Sequence, residues 1–147
     1  MSTRQTAARR IRALDLLERV KRHEMEDELR ELARINGKIA ETRAQREELD
    51  RRLREETRSR DLEVAPYIAG FARAMREQIA GLDGQLEKLA AESRTLDDFV
   101  RERYREARTY ASVADRLRQE ARQEAARREA KDLDEIALTL WQRASAG

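Results

Sequence analysis

One histidine, no cysteine and five glycines in 147 residues leave few ways to assemble a reactive centre. His23 has neither a second histidine nor a cysteine near it, so a metal site would rest on one imidazole and carboxylates alone; a surface histidine on a helix is the simpler reading. Neither a Gly-rich phosphate loop nor a Ser-His-Asp set can be built from the residues present, and no cysteine can serve as a nucleophile. Most Glu and Asp residues stand three or four positions from an arginine, as a solvated helix surface has them. The chain is therefore read as non-enzymatic, with no catalytic residue, no cofactor and no metal. Its chemistry is recognition.

Charge narrows the partners. The 32 basic and 30 acidic residues nearly cancel to +2 and are interleaved along the chain, whereas nucleic-acid binding needs a concentrated positive surface. Only Lys21, Lys38, Lys88 and Lys131 among the basic residues are lysines, an imbalance read as coding bias rather than as phosphate-binding forks. With 42% charged and 4% aromatic residues, a compact core is not expected. No apolar run approaches the roughly 20 residues that span a bilayer. The basic, amphipathic start from Met1 to Val20 lacks the apolar core of a secretion signal and holds Asp15 and Glu18. Together with the absence of cysteine, this predicts a cytoplasmic protein without direct membrane insertion.

Two apolar seams set the architecture. From Ile68 to Ala121 the a positions of a heptad repeat read Ala72, Ile79, Leu86, Ser93, Val100, Ala107, Ala114 and Ala121, with Ile68, Met75, Leu82, Leu89, Leu96, Arg103, Tyr110 and Leu117 at d. That unbroken period keeps one narrow stripe facing a partner helix. A second, more polar seam runs from Ile11 to Leu53, with Glu18, Met25, Leu32, Ile39 and Arg46 at a, and Leu14, Lys21, Glu28, Ile35, Thr42 and Leu49 at d. Leu17 and Leu29 broaden it. Gly37 lies off that seam and Gly81 and Gly84 occupy c and f positions, so none interrupts a helix. Ser2 with Gln5 has the spacing of a capping box.

The stripes stop at Leu53 and resume at Ile68, and the only proline, Pro66, suits a first helical turn. The prediction is all-α: a long two-helix antiparallel coiled-coil hairpin, helix 1 about 3–57, turn about 58–65, helix 2 about 66–141, as a single unit over 1–147. Folding back there pairs residues whose numbers add to about 121, setting Ile39 against Leu82, Leu32 against Leu89, and Arg103 against Glu18. Helix 2 then has no partner beyond residue 121. Its later part carries Leu133, Ile136 and Leu140 on one face with Trp141 beside it, an apolar face on an unpaired C-terminal extension. Tyr67, Ile68, Phe71 and Met75 form a second cluster near the turn, with Phe71 expected to be exposed.

The basic, leucine-containing stretch from Arg9 to Glu18 and the ending Glu129-Ala130-Lys131-Asp132-Leu133-Asp134-Glu135-Ile136-Ala137, on a hairpin of this length, resemble the flagellar export protein FliJ family and its relatives in virulence type III secretion. Ile11 stands where members often have an aromatic residue. The resemblance implies a stalk like the central shaft of rotary ATPases, peripheral at the cytoplasmic face of the inner membrane through the export apparatus. Its partners would be an export ATPase ring, a membrane-embedded export gate and export chaperones. It also implies that the ring meets Arg9, Arg10, Arg12, Leu133, Ile136, Leu140 and Trp141, and that the gate and chaperones meet Phe71 and Met75. A free chain is expected to be monomeric. A generic coiled-coil scaffold is the alternative, and it gives neither end a special role.

Overall fold

The computed structural model describes residues 3–58, 63 and 65–146, all but a few of them helical. Helix α1 spans Thr3–Glu56 and α2 spans Ala65–Ala146, and the two pack against each other. Sequences so rich in Ala, Leu, Arg, Glu and Gln favour helix at nearly every position. Pro66 sits in the first turn of α2, where its missing amide proton has no acceptor to lose. Helix α2 runs five residues past Trp141, farther than predicted. Ser2 of the capping box and most of the predicted turn lie outside the described residues.

The chain forms two compact units, one of Met1–His23 with Arg103–Gly147, the other Glu24–Glu102. In both, burial follows the heptads. Every a and d position of α1 from Ile11 to Leu53 is at least half-buried, as is every one of α2 from Ile68 to Leu117; only Ala121 is exposed. The most enclosed residues are small: Ala114 has no exposed surface, and Ala72 and Ala107 are nearly as buried. Alanine at these positions lets the helix axes approach closely. Thr42 is buried at d, where its hydroxyl donates to the Lys38 carbonyl oxygen at 2.8 Å, so the polar atom is satisfied within its own helix.

The alignment of the helices differs from expectation by about one heptad. In the unit Glu24–Glu102, Arg46 binds Asp83, and the Ser93 hydroxyl donates to Asn36 Oδ1 at 3.2 Å; the residue numbers of both pairs add to 129 rather than 121. Ile39 therefore comes level with Ala90, not Leu82. In the other unit Lys21 Nζ lies 2.9 Å from Glu106, and Arg118 binds Asp15. Sliding an antiparallel pair by seven residues returns the same a and d types to the seam. Periodicity alone is blind to such a slide.

Candidate interaction surfaces

In the unit containing both ends of the described chain, every residue from 129 to 146 is exposed. Leu133 is 65% exposed, Ile136 56%, Leu140 58% and Trp141 66%, so the predicted apolar face is open. Leu138, on an adjacent face, is exposed as well. Three- and four-residue spacing puts Leu133, Ile136, Ala137, Leu140 and Trp141 on one side of the helix. Asp132 and Asp134 flank that side. On α1 of the same unit Arg9, Arg10 and Arg12 are exposed.

A surface that the sequence reading did not single out lies beside those arginines. Leu16, Leu17 and Val20 of α1 are all exposed large apolar residues. With Ile11 and Leu14 turned to the seam, this part of α1 is apolar on both its inner and its outer side. The signal was present in the run Ala13-Leu14-Asp15-Leu16-Leu17-Glu18-Arg19-Val20, which holds more apolar positions than one seam uses.

The expected seam pair of Glu18 and Arg103 gives way to other partners. Glu18 binds Arg22 one turn along its own helix at 2.7 Å. Glu106 receives Lys21 at 2.9 Å and lies 3.7 Å from Arg103, all three carrying partly shielded side chains. With Lys21 at the level of Glu106, Glu18 falls level with Thr109, roughly 9 Å beyond Arg103 at 1.5 Å per residue.

In the unit Glu24–Glu102, Tyr67 is exposed and stacks on Phe71 with ring centroids 6.4 Å apart and planes at 21°. Phe71 is half-buried rather than exposed as expected, with the tyrosine ring stacked beside it. Met75 is only 8% exposed: as a d residue it faces the opposing helix, so its thioether belongs to the seam and not to the surface. Ile68, Ala69, Ala72 and Arg76 line a shallow hollow with Thr57. Exposed ion pairs dress the outer faces. Arg34 holds the Glu31 carboxyl below its ordinary value, chiefly through their hydrogen bond, and Arg51 does the same for Glu48. Among the described residues no group of three or more His, Cys, Asp or Glu side chains could hold a metal ion, and no helix is long and apolar enough to cross a membrane.

A family model described as Flagellar FliJ protein matches residues 10–146. The chain belongs to the FliJ family. The match takes in almost all of both helices, including all but Arg9 of the basic stretch of α1 and the exposed end of α2 from which the resemblance was drawn. FliJ proteins are non-catalytic components of flagellar export, and this chain is accordingly a flagellar export-related protein. No curated relative and no solved structure matches it.

Proposed function

We propose that this FliJ-family chain is a stalk of the flagellar export ATPase, joining the ATPase ring to the export gate and to export chaperones at the cytoplasmic face of the inner membrane. The observation that carries this reading is the exposed apolar side of Leu133, Ile136, Leu140 and Trp141 at the end of α2. Apolar surface of this extent disfavours solubility and suits a partner. A ring of subunits offers a central sleeve in which Trp141 serves as anchor, while Arg9, Arg10 and Arg12 meet acidic loops. In the free chain this part of α2 has no partner helix. In the unit Glu24–Glu102, Tyr67 and Phe71 form the surface for the gate and chaperones, with Met75 buried in the seam of the same part of α2.

ATP turnover by the purified ATPase tests this assignment. The intact chain stimulates turnover; Ile136→Asp with Leu140→Asp abolishes stimulation while the chain stays helical. Phe71→Ala with Tyr67→Ala retains stimulation and fails in export. Undiminished stimulation by the Asp variant overturns the assignment of this end to the ring.

A further inference from the structure

The outer side of α1 places Leu16, Leu17 and Val20 in solvent within the most basic part of the chain. Between Thr3 and Arg22 there are seven basic residues and two acidic ones. The exposed end of α2 has the opposite character: from Glu129 to Trp141 there are four acidic residues and one basic. Each surface is an apolar patch rimmed by charge, and the rims are of opposite sign. They are far apart within one chain. Asp15 binds Arg118, and from Arg118 to Ile136 is a further 18 residues of unbroken helix, roughly 27 Å.

We propose that a second copy of this chain covers both patches, the acidic apolar end of α2 from each protomer lying on the basic apolar side of α1 in the other. The spacing of the residues supports this occupant. Laid parallel, Leu133, Ile136, Ala137 and Leu140 repeat the steps of Ala13, Leu16, Leu17 and Val20, and the same alignment sets Asp132 beside Arg12 and Glu129 beside Arg9. Because α1 and α2 of one chain are antiparallel, an α2 end parallel to a neighbour's α1 requires the two hairpins to be antiparallel. A two-fold axis then makes both contacts at once, the closed, isologous arrangement that stops at a dimer. The monomer expected from the seam reflects the seam's demand alone, which one chain satisfies; the outer side of α1 adds a second. Two single-helix contacts give a small interface, so the dimer exchanges readily and is weakened by salt. The dimer hides the side of α2 assigned above to the ATPase ring, so ring and second copy compete; this consequence rests on that assignment, whereas self-association does not.

Sedimentation of the intact chain from low micromolar to several hundred micromolar reads the dimer directly. A concentration-dependent shift from monomer to dimer is expected, weakened at least about tenfold by Leu16→Asp with Val20→Asp. Reversing exposed charges, with Glu129→Arg and Asp132→Arg, leaves folding intact and weakens the dimer to a similar degree. Adding Arg9→Asp and Arg12→Asp to that variant restores it. Since the chain has no cysteine, mixing a Leu16→Cys chain with an Ile136→Cys chain gives an intermolecular disulfide as the sole product of this contact. A mass that stays monomeric across the range overturns the proposal, and so does a dimer indifferent to both the Asp and the charge-reversal variants. Undiminished ring stimulation by the Ile136→Asp, Leu140→Asp chain overturns the ring assignment without changing the masses of the intact chain, so the two readings fail separately.

Discussion

At the residue scale, the charged positions of the seam divide by shielding rather than by count. Glu106 holds Lys21 across the helix pair and lies within reach of Arg103, with side-chain exposures of 28%, 20% and 27% for Glu106, Lys21 and Arg103. Glu106→Gln removes a carboxylate shared by two partly desolvated cations and is expected to destabilise by about 1–2 kcal/mol in chemical denaturation. Glu31→Gln removes a solvent-exposed, solvent-screened pair and is expected to change stability less than Glu106→Gln does in the same assay. The two exposed carboxyls do shape the acid limb. Glu31 and Glu48 are held below their usual value of 4.5, so the stability they contribute is present above that value and is lost as pH falls through the lowered one. Melting temperature should therefore decline as the solution is acidified below about 4.5, less steeply with both residues changed to Gln.

At the element scale, length and composition make these helices, and interior glycines such as Gly37, Gly81 and Gly84 weaken them. A Cβ added at Gly37, Gly81 or Gly84 meets no atom within 4 Å, and none of the three has a positive φ. Replacing each by Ala is expected to stabilise by about 0.8–1 kcal/mol, through backbone entropy rather than new contacts. Thermal melts of the single and triple variants check both the sign and the additivity. The opposite experiment is to enlarge a small seam residue. Ala114→Leu adds volume where the helices leave no exposed surface, and a cost of about 1–3 kcal/mol is expected in the same assay.

At the scale of the whole molecule, the question is which residues stand opposite which. Asn36 and Ser93 touch at 3.2 Å, and Arg46 reaches Asp83. A chain with Asn36→Cys and Ser93→Cys is expected to form an intramolecular disulfide in mild oxidant, read as a mobility shift reversed by reductant. The pair Ile39→Cys with Leu82→Cys, adjacent only in the alignment expected from the stripes, lies about eight residues or roughly 12 Å out of register and is expected to remain reduced. Formation of the second disulfide in place of the first would restore the alignment expected from the sequence.

The sequence by itself determined the two helices, the residues at their interface and the exposed end of α2, because each follows from a local rule: helix propensity, a period of seven, and a charged stretch where the stripe stops. The burial of Ile35, Thr42 and Ala114 was legible from heptad position alone. The FliJ resemblance was likewise legible in the basic stretch and the acidic ending. The tertiary structure decided the alignment, since a seven-residue slide preserves seam chemistry and only specific pairs such as Arg46 with Asp83 distinguish one setting from the next. It also decided which apolar residues outside the seam stay open. Leu16 and Val20 lie beyond the reach of the opposing helix, while Met75, assigned to a surface by its neighbourhood near the turn, is enclosed by its d position. Exposure depends on what lies across from a side chain, and that is a property of the folded pair.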